Sequence, residues 1–231
     1  DIAIHSMKDV PTQLPEGIQQ AAVLERGPVL DVLVKKANAI AFENPATIAT
    51  GSLRRKAQWL AQYPNHNIVP LRGNIKTRLT KLKDGTCDGA IFAEAALVRL
   101  DTKTELVETL DWMIPAPAQG ALMVVCRTVD TTIFDSLQQF NRPDAKLCTQ
   151  IERNFLRTLE GGCTAPIGAL ATLKGDQVHF NGGVFSLDGK RKFLVSETFG
   201  KSTAQDKGIG LANALLKKGA ATLLQEFKSS L

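Results

Sequence analysis

The sequence predicts an α/β protein whose last part, at about residues 143–231, changes to a smaller α+β unit. Three observations support this prediction. Over the first hundred residues, short strand patterns alternate with helical patterns, which is typical of a parallel sheet with crossover helices. Three strand patterns joined by hairpin-like turns follow later in the chain. Two helical patterns then close the sequence.

The α/β part contains four strand patterns and three helical patterns. The strand patterns cover residues 2–4, 46–50, 67–71 and 87–92. The helical patterns cover residues 53–62, the stripe of Ile75, Leu79 and Leu82, and residues 93–100. A polar turn at residues 5–11 follows the first strand pattern, and Asp84-Gly85 ends the second helical pattern.

The pattern changes after residue 112. A loop at residues 113–120 leads into an apolar strand pattern at residues 121–126. Apolar residues then stand four apart and predict an amphipathic helix ending at Gly161-Gly162; they are Leu147, Ile151, Phe155 and Leu159. The antiparallel strands are predicted at 166–173, 177–185 and 191–198, and the closing helices at 211–218 and 220–228, with a break at Gly219.

Composition excludes several classes of protein. The chain has 28 Lys and Arg against 23 Asp and Glu, a formal charge of +5, and 44% of its residues are hydrophobic. It is too apolar, and too mixed in charge, for a disordered chain. The best apolar run, residues 90–98, is short and contains Glu94, so no membrane partner is predicted. The mild positive charge either aids solubility or marks a site for anions.

Cysteine and histidine are sparse and scattered. The cysteines are Cys87, Cys126, Cys148 and Cys163, without a CxxC pair, and the three histidines lie far apart. We therefore predict no metal site and no disulfide framework, and a reducing, cytoplasmic location. No signal or transit segment is recognised. The chain opens within a strand pattern and without Met, so we expect a further segment upstream.

Polar and cationic residues follow the predicted strands, at the edge where open α/β sheets bind ligands. Thr50-Gly51-Ser52 precedes a helix, whose backbone N–H groups and positive dipole end hold anions. The cations at these strand ends are Lys8, Arg54, Arg55, Arg72, Arg78 and Arg99. Each arginine alone is more often a solvated surface residue. Several in equivalent loops predict a site for carboxylates or phosphates, which guanidinium groups bind through paired hydrogen bonds.

Nucleotide and nucleic-acid motifs are not supported. Neither GxxxxGK[ST] nor GxGxxG occurs. Aromatic residues make up 6% of the chain and do not alternate with basic residues, so a stacking surface for single strands is not indicated.

Two further residues have both a structural and a functional interpretation. Asp9 either caps a helix or pairs with Lys8, or its carboxylate stabilises a cation that develops in a transition state. Cys163 follows a helix C-terminus, which does not favour a thiolate, and on that ground it is a small buried residue. The two glycines before it would nevertheless let the backbone approach another group closely.

Together these motifs resemble those of the porphobilinogen deaminases, also called hydroxymethylbilane synthases, over essentially the whole chain. The strongest match is residues 152–168, which look like the family's cofactor-attachment signature. The other matching segments are residues 5–11, 51–55, 71–74 with 77–79, and 117–121. Because five motifs match in order and spacing, the probability that the resemblance arose by chance is very small.

The resemblance implies an enzyme that joins four porphobilinogen molecules head to tail, with release of ammonia, into hydroxymethylbilane. It implies a dipyrromethane cofactor, made from substrate and held by a thioether to Cys163, and a catalytic carboxylate at Asp9. The side chains of the cofactor or growing chain would be bound by Ser6, Lys8, Thr50, Ser52, Arg54, Arg55 and Arg72. Arg78, Arg99 and Gln119 would bind substrate, with Gln119 in the segment that matches the interdomain hinge.

The resemblance also implies three domains, of which the first two look like periplasmic-binding-protein halves. Residues 1–24 and 119–140 would be the remnant of domain one, residues 28–116 domain two, and residues 143–231 a C-terminal α+β domain with a three-stranded antiparallel sheet that carries Cys163. We expect a cytoplasmic monomer that acts on a small molecule, without nucleic acid or membrane partners.

Some residues depart from the family pattern. Ala165 replaces a β-branched residue, Glu94 and Ala96 replace an apolar residue and a glycine, and residues 27–31 differ from the usual run. The family also has a further N-terminal segment of several dozen residues. If that segment is absent from the protein, we expect no turnover.

Two other classes of function remain open from the sequence alone. A solute-binding or effector-sensing module of the same two-lobed architecture would use the same arginines without chemistry. The Gly-Gly-Cys segment and the third domain argue against it. A basic nucleic-acid-binding protein is the third alternative, and salt-dependent DNA binding would support it.

Overall fold

A computed structural model describes residues 1–36, 42, 44–102, 104, 106–159 and 165–229. Within these residues the chain forms three β-sheets, each with its own hydrophobic core. The strands are β1 Ile2–Ser6, β2 Ile18–Val23, β3 Asp31–Lys35, β4 Thr47–Ala49, β5 Asn67–Val69, β6 Gly89–Ala93, β7 Val107–Leu110, β8 Leu122–Arg127, β9 Ile167–Lys174, β10 Gln177–Phe185 and β11 Lys192–Gly200. The α-helices are α1 Leu53–Gln62, α2 Ile75–Asp84, α3 Glu94–Arg99, α4 Thr131–Leu137, α5 Pro143–Thr158, α6 Lys207–Leu215 and α7 Ala221–Ser229.

The first sheet has the strand order β1-β8-β2, and both pairs are antiparallel. Ile2 pairs with Cys126 and Ser6 with Leu122, so a strand at the start of the chain depends on one about 120 residues later. A 3₁₀ turn, Met7–Asp9, follows β1 directly. Met7 is buried against Val23, Met123 and their neighbours in the core of this sheet.

The second sheet has the order β5-β4-β6-β3-β7. Strands β4, β5 and β6 are parallel, whereas β3 is antiparallel to both β6 and β7. Side chains alternate along β3: Val32 and Val34 face the core shared with α2, and Leu33 faces the core that contains Trp59 of α1. Helices on both faces of a sheet are the expected cover for parallel strands.

The prediction of a parallel sheet beginning with residues 2–4 was wrong in two respects. Strand β1 belongs to the separate antiparallel sheet, and the central sheet is mixed because β3 runs against its neighbours. Strands β2, β3 and β7 and helix α4 were not predicted from the residue pattern. The predicted α/β class is nevertheless confirmed.

The third sheet has the order β9-β10-β11, with both pairs antiparallel, as predicted. Helices α5 and α6 pack together against it, and Phe155 of α5 meets Phe180 of β10 at a ring-centroid distance of 5.1 Å. The predicted break between the closing helices is confirmed: a π-type turn, Leu216–Ala220, separates α6 from α7, and Gly219 has a φ of 111° there.

The β10–β11 hairpin turn joins the third sheet to helix α1. Gly189 in this turn has a φ of +74°, and a Cβ added to it would lie 2.7 Å from the Leu60 carbonyl carbon and 2.8 Å from the Ala57 carbonyl oxygen. Glycine therefore serves two purposes at this position, because it tolerates the left-handed backbone and lets two backbones touch.

We expect Gly189→Ala to destabilise the protein by about 2–4 kcal/mol, since it adds a clash with α1 to the cost of a left-handed alanine. Gly175→Ala is the matched control, because Gly175 also has a positive φ, +59°, but no atom lies within 4 Å of its added Cβ. The control should lose only about 1 kcal/mol. Urea unfolding followed by circular dichroism measures both losses; equal losses would show that the contact with α1 contributes nothing.

Candidate functional site: a cationic cleft between two sheets

A cleft of about 230 Å³ lies between the turn that follows β1 and the start of α1. It brings together several residues that the sequence placed far apart. Its described lining consists of Lys8, Asp9, Gly51, Ser52, Leu53, Arg54, Arg55, Arg78 and Ala116. Asp9 is the one acidic side chain among these residues.

The turn Met7–Asp9 carries two of the cleft residues. Its position is set by the buried Met7 side chain and by a 2.9 Å hydrogen bond from Met7 N to the Ala121 carbonyl. Val10 N closes the turn by donating to the Met7 carbonyl at 3.3 Å. Lys8 is half-buried and Asp9 is exposed. The turn thus presents a cation and a carboxylate side by side at the edge of the cleft.

The N-terminus of α1 forms the opposite wall. Ser52 caps the helix, its Oγ accepting from Arg55 N at 3.4 Å, and Ser52 N donates to Thr50 Oγ1 at 3.2 Å. Gly51 has no space for a side chain, because a Cβ there would lie 2.6 Å from the Leu71 carbonyl oxygen. The positive end of the helix dipole therefore faces the cleft and favours an anion.

Arg54 and Arg55 are almost completely buried and are held by the carboxylate of Asp31 at the start of β3. Arg54 Nη1 donates to Asp31 Oδ2 at 2.7 Å and to the Ile114 carbonyl at 2.8 Å. Arg55 donates to Asp31 Oδ1 from Nε at 3.0 Å and from Nη2 at 2.8 Å. Both arginines line the cleft, but part of each guanidinium group is already committed to this internal ion pair.

Burial and charge act in opposite directions on these groups. Burial alone would raise the pKa of Asp31, but Arg54 and Arg55, with hydrogen bonds from Arg54 and Gln119, outweigh it and hold that pKa at about 2. The pKa of Lys8 is lowered, first by burial and then by the charge of Arg55, which outweighs the opposite effect of Asp9. The cluster therefore contains more positive than negative charge.

Four other predicted residues, Ser6, Thr50, Arg72 and Arg99, do not belong to the cleft lining. Arg99 Nη1 donates to Ser6 Oγ at 3.3 Å, which joins the second and first sheets. Thr50 is buried under the N-terminus of α1. Arg72 is exposed, and its carbonyl accepts from Lys81 Nζ at 3.1 Å.

Gln119 lies outside the cleft lining, in the segment between β7 and β8. It is fully buried, and its Nε2 donates to the Val29 carbonyl at 2.8 Å and to Asp31 Oδ1 at 3.0 Å. Its Oε1 is buried without a hydrogen-bond partner. In this structure Gln119 connects the segment between β7 and β8 to the Asp31 cluster, and its binding of substrate stays a prediction.

Cys163 lies outside the described residues. The prediction that it attaches a cofactor is therefore not tested by the geometry. The other three cysteines, Cys87, Cys126 and Cys148, are buried free thiols, and burial raises the pKa of Cys148 to about 11.

A second buried carboxylate, Glu152 of α5, was not predicted to have a role. Its Oε1 accepts from Arg26 Nη1 and Ala171 N, both at 2.7 Å. Its Oε2 accepts from Arg26 Nη2 at 3.0 Å and Ala118 N at 2.6 Å. Arg26 and Ala118 belong to the two segments that cross between the first and second sheets, so Glu152 ties the third sheet to both crossovers.

Asp31 was also missed as a structural residue. A signal was present, because an acidic residue directly precedes the apolar run Val32-Leu33-Val34, and a buried acid requires a cationic partner. The identity of that partner depends on the fold. Searches of the described residues find no cluster of His, Cys, Asp and Glu suited to a metal ion, and no helix with the length and apolar character needed to cross a membrane.

Fold and site together define an α/β protein with a cationic cleft between two of its sheets and a third, antiparallel sheet that packs with its own helices. Comparison with known families extends this assignment. Residues 1–135 match the family model described as "Porphobilinogen deaminase, dipyromethane cofactor binding domain", and residues 146–217 match "Porphobilinogen deaminase, C-terminal domain". The chain belongs to the porphobilinogen deaminase family. The predicted resemblance and the predicted cofactor are thereby confirmed.

Relatives of the same name match nearly the whole chain. The porphobilinogen deaminase of Syntrophomonas wolfei is 41% identical over 230 residues, which cover 98% of this chain and 75% of that protein. The porphobilinogen deaminase of Listeria welshimeri is 40% identical over 236 residues, covering 99% and 76%. Among solved structures, an ABC transporter periplasmic binding protein from Brucella ovis is 17% identical, with a TM-score of 0.37, over 62% of this chain and 44% of that one.

The Asp31 ion pair predicts that the folded protein loses stability at low pH. Because folding lowers the pKa of Asp31 from 3.8 to about 2, its stabilisation is complete above about pH 4 and is lost as the pH falls through 2. Asp31→Asn should remove this pH dependence and, by leaving two buried arginines without a carboxylate, cost about 3–5 kcal/mol at pH 7.

Asp144→Asn is the control for this prediction, since Asp144 forms an exposed ion pair with Lys201 at 2.6 Å. Its removal should cost less than about 1 kcal/mol. Urea midpoints measured from pH 2 to pH 7 compare the variants. A wild-type protein and an Asp31→Asn variant with the same pH profile would contradict the assignment.

Proposed function

We propose that this chain performs the reaction of its family, the head-to-tail condensation of four porphobilinogen molecules into hydroxymethylbilane with release of ammonia, and that the cleft between the first two sheets is where it occurs. Family membership over nearly the whole chain supports the reaction. The observation that carries the location is that one exposed carboxylate, Asp9, shares the cleft with Lys8 and three arginines.

The residues of the cleft fit the dipyrromethane cofactor. Each pyrrole unit of such a chain carries an acetate and a propionate group, so the site must neutralise several carboxylates. The cleft offers Lys8, Arg78, the remaining donors of Arg54 and Arg55, and the N-terminus of α1. These are the donors that carboxylates prefer. When bound, the cofactor supplies the pyrrole to which the first substrate is joined.

Asp9 is proposed as the catalytic residue. Its carboxylate would accept hydrogen bonds from pyrrole N–H groups and stabilise the positive charge that develops as ammonia leaves. Its exposure allows direct contact with substrate, in contrast to Asp31, whose oxygens are all engaged.

The remaining assignments follow the family pattern. We infer that Ser6, Thr50, Ser52 and Arg72 assist in holding the cofactor, and that Arg78, Arg99 and Gln119 act on substrate. Cys163 would attach the cofactor by a thioether; its segment joins α5, which packs on the third sheet, to β9.

The division into domains is proposed with the boundaries 1–24 plus 119–140, 28–116, and 143–231. The separation of the three sheets along these boundaries supports it. We further propose that the protein acts as a cytoplasmic monomer on a small-molecule substrate, without a nucleic-acid partner.

Covalent attachment is tested by mass spectrometry of the denatured protein after incubation with porphobilinogen. Wild type should gain the mass of the dipyrromethane cofactor, and Cys163→Ser should not. Cys148→Ala is the control, because this buried thiol has a raised pKa and should leave the adduct unchanged. An unmodified wild-type chain with free ligand bound would instead support a binding module.

Catalysis is tested with Asp9→Asn, which keeps the size of the side chain and removes its charge. The variant should retain the cofactor adduct while kcat for porphobilinogen consumption falls roughly 10²–10³-fold, the loss typical of an electrostatic stabiliser. Asp135→Asn, in the exposed surface of α4, should leave kcat unchanged. Full activity of Asp9→Asn would refute the role of Asp9.

A further inference from the structure

Arg153 of α5 contacts the turn that carries Asp9, across the boundary between the third sheet and the first. Its Nη1 donates to the Met7 carbonyl at 3.1 Å and to the Val10 carbonyl at 3.0 Å. Its Nη2 donates to the Pro11 carbonyl at 2.6 Å. Met7 directly precedes Lys8-Asp9, and Val10 and Pro11 are the next two residues after them, so one guanidinium group holds the turn on both sides of the two cleft residues.

These three hydrogen bonds need an arginine. A guanidinium group is planar and presents several N–H donors in fixed directions, whereas a lysine ammonium group is a compact charge on a flexible stem. Hydrogen bonds from a charged donor are stronger than those between neutral groups. The turn is short: Val10 N donates to the Met7 carbonyl within it, and Met7 N donates to the Ala121 carbonyl next to β8. Arg153 therefore adds a constraint from outside the sheet to which the turn belongs.

The adjacent residue makes this constraint a rigid one. Glu152 fixes the same part of α5 to the two crossovers through Arg26 and Ala118 N. Arg153 thus extends toward the turn from a point of the helix that is itself anchored. The same helix ends at Thr158, five residues before Cys163. A single helix consequently relates the Asp9 turn to the domain that contains Cys163.

We propose that Arg153 is a positioning residue that holds the carboxylate of Asp9 in a fixed position relative to the C-terminal domain. The proposal rests on the proposed function, because it gives Arg153 a role through Asp9. Arg153 differs from the cleft arginines because it donates to three backbone carbonyls in and beside the turn that carries Asp9. A small displacement of a catalytic group slows the chemical step much more than it weakens binding.

The test compares Arg153→Lys and Arg153→Met with Arg157→Met, which removes an exposed arginine one turn further along α5 that bonds Asn154 of its own helix. For each variant, the adduct mass, the thermal midpoint, kcat and KM for porphobilinogen are measured. Both Arg153 variants should keep the adduct and lose roughly 10–100-fold in kcat, with KM changed less than about threefold. Arg157→Met should match wild type in all four measurements.

A double variant that combines an Arg153 substitution with Asp9→Asn shows whether Arg153 affects kcat through Asp9. If Arg153 acts through Asp9, the double variant Asp9→Asn/Arg153→Met should be no more than about twofold slower than Asp9→Asn alone. A full additional loss in the double variant would overturn the proposal, as would wild-type kcat in Arg153→Lys. If both Arg153 variants lose the fold or the adduct, the role of Arg153 is structural, and that result would also overturn the proposal. Full activity of Asp9→Asn itself would instead refute the proposed catalytic role.

Discussion

The structure depends on the buried carboxylate of Asp31, which accepts hydrogen bonds from Arg54, Arg55 and Gln119. These partners come from the first turn of α1 and from the second crossover, whereas Asp31 itself begins the one strand that runs against the rest of its sheet. A buried charge is tolerated only when it is paired, so none of these elements can move far without leaving a charge unpaired in the interior. The interaction therefore fixes the start of α1, and with it one wall of the cleft.

Glu152 plays the corresponding part for the C-terminal domain. Its four hydrogen bonds join α5 and β9 to the two crossovers, and the Glu152 oxygens are satisfied entirely by donors from these segments. Arg26 Nε also donates to the Gln119 carbonyl at 3.0 Å, which links the hydrogen bonds of Glu152 to those of Asp31. The second and third sheets and both crossovers consequently share one polar network, and the cleft lies beside it.

Local sequence patterns were sufficient to predict those helices and strands whose contacts are made by residues close in sequence. Helices α1 and α2 have apolar stripes and polar N-caps, and the β9-β10-β11 sheet is formed by successive hairpins. Strand β1 was placed in the wrong sheet because its partner β8 lies about 120 residues away, and no local pattern records that pairing. The motifs named several residues that line the cleft, among them Lys8, Arg54 and Arg78, and the roles of these residues stay predictions. The motifs could not show that Arg54 and Arg55 would share Asp31, since ion-pair geometry arises only after the sheets assemble.

The charges of this network also determine the electrostatic character of the cleft. Two buried arginines face one buried aspartate, which leaves one positive charge in excess, and Lys8 adds another close by. Burial makes this excess costly, and the lowered pKa of Lys8 is a sign of that cost. A bound carboxylate would relieve this cost, which supports the proposed binding of an anionic ligand in the cleft. Asp9 is exposed, whereas both oxygens of Asp31 accept hydrogen bonds from Arg54 and Arg55. Asp31 thus does more than hold the fold, since it occupies arginine donors that would otherwise be available to Asp9, the carboxylate proposed for catalysis.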